Sequence, residues 1–115
     1  VQVTGDGSFY FGGPCSVFAT AQQYGLPIFS IVLDNSGWAA VKAATLRVYP
    51  DGEATTAGAF HAELAPVEFS KIGEAFGAHA EKVSDPAGVP DAIARCAAEV
   101  RRGRSALLHA RVTRL

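Results

Sequence analysis

Residues 28–34, IFSIVLD, form a nearly unbroken apolar run of strand length that stops on an acid. A strand apolar on both faces must be covered on both, which is the condition of a parallel sheet flanked by helices. The stretches around it supply the cover. VQVTG at 1–5 reads as a short strand ending at Gly5. Pro14 suits a first helical turn, and Val17, Phe18, Ala21 and Tyr24 share a helical face that stops at Gly25. A short helix is expected from about Gly37, taking in Trp38, Val41 and Lys42, and a polar loop from about Val48 to Leu64. Helical spacing returns from Pro66, with Val67, Phe69, Ile72, Ala75 and Phe76, and Gly77 stops it. A strand follows at 80–83, a long helix from about Gly88 to Arg102, and a last strand at 105–112. The predicted order is β-α-β-α-α-β-α-β: one doubly wound, mostly parallel α/β sheet with helices on both faces, spanning 1–115 as a single domain.

At 115 residues the chain has room for one core. Apolar residues make up 49% and charged residues 18%, with net charge -1, so there is no electrostatic footprint for nucleic acid and no basic amphipathic stretch for a membrane surface. The longest apolar runs fall well short of the roughly 20 residues that span a bilayer. Two cysteines far apart, Cys15 and Cys96, suit buried thiols in a reducing compartment, with the cytoplasm as the default. The chain begins in a predicted strand at Val1 without Met, and is read as a piece of a longer protein.

Open α/β sheets bind ligands at the carboxyl ends of their strands, beside a reversal of strand order. Asp6 and Asn35 both stand at such ends. If the strands are neighbours, one carboxylate and one amide oxygen converge on a hard cation, and the turn at Ser36–Gly37 aims a backbone carbonyl at the same point. Magnesium takes such a set, with diphosphate and water in its remaining positions. Gly5 and Gly7 bring the backbone close, Ser8 offers a hydroxyl, and the helix start near Gly13 offers N–H groups to an anion.

GDGSF and LDNSGW, separated by the 26 residues from Ser8 to Leu33, resemble the diphosphate-binding signature of thiamine diphosphate enzymes. ATAQQYGLPI and the tail from Phe69 to Val112 resemble the acetolactate synthase and 2-oxo acid decarboxylase group, so the likeness covers nearly the whole chain. It implies a C-terminal diphosphate-binding domain that takes thiamine diphosphate and Mg2+. Asp6, Asn35 and the Gly37 carbonyl would hold the metal, and Gly5, Gly7 and Ser8 would meet the cofactor. The family pair is most often Asn-Asn, so Asp34 is a departure; because the resemblance makes the second member the metal ligand, the change is expected to be tolerated, while bringing an extra carboxylate near the metal that shifts affinity. The resemblance further implies a 2-oxo acid substrate, a homo-oligomer, and a pyrimidine-binding domain of the same or another subunit that carries the activating glutamate. Glu53, Glu63, Glu68 and Glu74 lack the context of that glutamate, so no catalytic residue is assigned and the chain alone is expected to be inactive.

Two other readings stay open: a non-catalytic or regulatory domain of the same fold, and an unrelated phosphate-binding α/β domain in which GDG is coincidental. Around the signature, Trp38 and Phe9 are read as core, His61 as a solvated loop residue, and His79 and His109 as packed or capped. Cys15 is read as a small buried hydrophobe, and the RRGR run at 101–104 as complementing the negative end of its helix.

Overall fold

A computed structural model describes residues 1–113. Its strands are β1 (Gln2–Gly5), β2 (Phe29–Asp34), β3 (His79–Val83) and β4 (Ala106–Arg111). They form one parallel sheet in the order β1-β2-β4-β3. The helices are α1 (Asp6–Phe11), α2 (Pro14–Gln23), α3 (Ala39–Val48), α4 (Glu53–Ala57), α5 (Ser70–Ala75) and α6 (Val89–Arg101).

Side-chain alternation along β4 divides the core in two, because neighbouring residues of a strand point to opposite faces. Leu107 joins Phe9, Phe18, Val32, Phe69 and Ala78 beneath α1, α2 and α5. Leu108 joins Phe29, Ala92, Ala106 and Cys96 beneath α6. The parallel α/β fold with helices on both faces is therefore as expected.

Several local expectations are corrected. The chain passes from β1 into α1 with no intervening loop, so Asp6 begins a helix that was not foreseen. A second unforeseen helix, α4, lies in the predicted loop, and α5 starts at Ser70 rather than near Pro66. Trp38 caps α3 instead of lying inside it. Val17, Tyr24 and Cys15 are exposed, so the apolar face of α2 is carried by Phe18 and Ala21 alone among those expected. Strand order advances from β1 through β2 to β3 and turns back only between β3 and β4. Among the described residues the reversal thus lies at the far edge of the sheet, not beside Asp6 and Asn35.

Candidate functional site

β1 and β2 are neighbours with Gly5 opposite Leu33, so the residues that follow each strand emerge side by side. Asp6 is 1% exposed. Its Oδ1 accepts the Gly7 N–H at 2.9 Å. Its Oδ2 reaches across to accept the Gly37 N–H at 2.8 Å, joining the two strand tips.

The turn after β2 is held by its neighbours. Ser36 sits at φ 66°, in the left-handed region. The segment 62–64 laces the turn from outside: the Trp38 N–H donates to the Ala62 carbonyl at 2.7 Å, and the Leu64 N–H to the Ser36 carbonyl at 3.0 Å. A Cβ on Gly37 would stand 2.2 Å from the Ala62 carbonyl oxygen, so only glycine fits. Within this turn Asn35 Oδ1 is buried and accepts no hydrogen bond from any described residue. Buried acceptors are almost always satisfied, and one left bare in a turn tied to the Asp6 carboxylate is what a metal or ligand would complete. Carboxylate, amide and peptide oxygens are hard donors, which suits Mg2+ and not a thiophilic ion.

Gly5 and Ser8 are exposed beside this cluster, and a Cβ on Gly5 would meet nothing within 4 Å. Gly7 differs. A Cβ there would stand 2.3 Å from the indole Nε1 of Trp38, so the room above this glycine is taken by that ring. Trp38 is half-buried and also meets Phe11, ring centroids 5.4 Å apart, whereas Phe9 is a core residue. A small cleft lined by Asn35, Gly37, Trp38, Lys42, Ala62 and Glu63 opens beside the turn.

Asp34 is turned away from Asp6 and toward β4. Its Oδ1 accepts the Ser36 N–H at 2.9 Å, and its Oδ2 lies 2.7 Å from both His109 Nε2 and Arg111 Nη1. Burial alone would raise its carboxyl, but the His109, Arg111 and Ser36 hydrogen bonds prevail and lower it from 3.8 to about 2. Sequence reasoning missed these β4 partners. Their signal was confined to two polar residues, His109 and Arg111, at alternate positions of an otherwise apolar strand.

Other titratable groups serve the scaffold. His79, Glu81 and Cys96 bring ligand-type atoms within 4.8 Å of one another. Glu81, however, is already held by both Arg95 nitrogens and by His79, and its carboxyl is lowered chiefly by Arg95. Burial pushes the Cys96 thiol up to about 11. Arg101 lies in the last turn of α6, as expected of the basic run, and Arg104 gives its backbone N–H to the Glu99 carbonyl at the end of that helix while its side chain donates to the Gly77 and Ala78 carbonyls. His61 is exposed in its loop, as anticipated.

Comparison with known proteins identifies the family and the fold. Residues 1–110 match the family described as "Thiamine pyrophosphate enzyme, C-terminal TPP binding domain". Among solved structures, benzoylformate decarboxylase from Polynucleobacter necessarius superposes with a TM-score of 0.74 over 96% of this chain, at 19% identity. The match spans 19% of that chain, and at this identity the likeness is one of fold.

Proposed function

The chain belongs to the thiamine pyrophosphate enzymes as their C-terminal TPP-binding domain, and from that premise we propose that it binds thiamine diphosphate through Mg2+ at the tips of β1 and β2. The observation that carries this reading is the bare, buried Asn35 Oδ1 in the turn whose Gly37 N–H is held by the Asp6 carboxylate. Asp6 and Asn35 would hold the ion by their side chains and Gly37 by its carbonyl. Gly5 and Ser8, both exposed, would face the diphosphate, whereas Gly7, expected from the sequence to do so, is covered by the Trp38 ring and gives its N–H to Asp6. When bound, thiamine diphosphate supplies an electron sink for making or breaking a carbon-carbon bond next to a carbonyl.

Among the described residues this chain's own groups would bind and orient the cofactor, and no proton-moving role is assigned to any of them. Asp6 fixes the Asn35–Gly37 turn through the Gly37 N–H, and Trp38 shields the backbone of Gly7 from water. The activating glutamate would come from a pyrimidine-binding domain of the same or another subunit in a homo-oligomer. The substrate would be a 2-oxo acid, with the parent enzyme a lyase or transferase related to acetolactate synthases or decarboxylases. Both cysteines are free thiols, which accords with a cytoplasmic, reducing setting. Among the described residues no helix is long and apolar enough to cross a membrane.

Calorimetry on the intact protein tests the reading. Thiamine diphosphate should bind with Mg2+ and fail to bind in EDTA, and a panel of 2-oxo acids should then be turned over. Binding that ignores EDTA would contradict the metal bridge. Metal-dependent binding without turnover would favour a non-catalytic domain.

A further inference from the structure

We propose that Asp34 is a positioning residue held from β4, whose clamp by His109 and Arg111 sets the Asn35–Gly37 turn against Asp6. The proposal rests on the reading of this turn as the cofactor's metal site. Three donors converge on one carboxylate: the Ser36 N–H on Oδ1, and His109 Nε2 and Arg111 Nη1 on Oδ2. Arg111 Nη1 also reaches Ser36 Oγ at 3.0 Å, so one guanidinium grips the strand end and the turn together. The backbone closes the same junction, with the Val112 N–H donating to the Asp34 carbonyl at 3.0 Å.

The clamp is anchored in the core at its base. His109 is fully buried, and its ring packs edge-on against Phe69 with centroids 5.3 Å apart. Asp34 is therefore tied through β4 to the core, and Ser36 through Asp34 to β4. On either side of Ser36 stand the bare Asn35 Oδ1 and the Gly37 N–H that holds Asp6. Partners one step removed from a metal commonly change its affinity by about 10- to 100-fold.

The acceptor count distinguishes Asp from Asn at this position. A carboxylate is acceptor-only and satisfies all three donors. An Asn amide keeps one oxygen and turns an NH2 group toward donors on the other side, so one side of the clamp would be lost. Asp34→Asn should thus be harmful in this protein, although Asn-Asn is the commoner pair in proteins it resembles.

Asp34→Asn, Arg111→Ala, the double variant and Arg111→Lys would be made in the intact protein. Arg111 has an exposed side chain, 42% accessible, so Arg111→Ala is expected to fold, with a melting temperature lowered only by its share of the Asp34 interaction, and Arg111→Lys, which keeps the charge, controls for that loss. In cofactor-free protein, amide hydrogen exchange of a peptide spanning the turn should speed up about tenfold or more in both single variants. In Mg2+ titrations at saturating thiamine diphosphate, each single variant should weaken the apparent metal affinity about 10- to 100-fold. The double variant should be no worse than the worse single one, because both cut the same clamp, and Arg111→Lys should restore part of the loss. Unchanged turn exchange in both single variants would overturn the proposal, as would strictly additive losses in metal affinity. If the unsubstituted protein binds no thiamine diphosphate, the cofactor reading fails, and the exchange data still decide whether the clamp exists.

Discussion

At the scale of single residues, acids that look equivalent in sequence do different work. Asp6 follows the exposed strand β1 and Asp34 ends β2, yet Asp6 faces the neighbouring tip while Asp34 faces β4. The lowered Asp34 carboxyl sets a pH dependence. A group whose folded pKa lies below its unfolded value stabilises the fold above the unfolded pKa, and that contribution fades as pH falls toward the folded one. From 3.8 down to about 2, urea melts of the cofactor-free protein should lose about 2 kcal/mol that an Asp34→Ala variant does not lose. Gly37→Ala should cost about 1–3 kcal/mol, because its Cβ would strike the Ala62 carbonyl. Thermal melting measures it. Asp6 could be read from the sequence because it stands between two glycines after a strand, and Asn35 because it follows an apolar run. The partners of Asp34 could not, because they stand 75 and 77 residues away and only strand order brings them near.

At the scale of elements, strands were more legible than short helices. β2 and β4 are apolar on both faces, which in a chain this short means a covered parallel sheet. α1 and α4 have 6 and 5 residues, too short to develop a periodic stripe. α1 owes its place to Phe9, which meets Phe69 edge-on at 5.6 Å. α5 sits close to the sheet through Gly73, where a Cβ would come 3.0 Å from Leu107 Cβ and 3.5 Å from Ala80 Cβ. Gly73→Val should therefore push α5 off β4 and cost about 1–3 kcal/mol. Thermal unfolding would register the loss, and an unchanged midpoint would mean that α5 tolerates displacement.

At the scale of the whole molecule, the chain is more extended than a self-contained domain. Its radius of gyration is 16.3 Å, where a compact domain of this length has about 13 Å. α3 and α4 bury no residue, and Val41, Val48, Tyr49, Phe11 and Leu26 are more than half exposed. Exposed apolar surface on this scale marks contact with other protein, which supports the proposed pyrimidine-binding and subunit partners. Expressed alone, the chain should self-associate, with a sedimentation coefficient that rises with concentration. A concentration-independent monomer would count against such partners. Everything proposed for the cofactor depends on Asp6 and Asn35 acting together across two strand tips. Calorimetry of thiamine diphosphate with Mg2+ on the intact protein and its Asn35→Ala variant tests this. Binding should vanish in the variant while its melting temperature stays unchanged, and equal affinity in both proteins would refute the metal site.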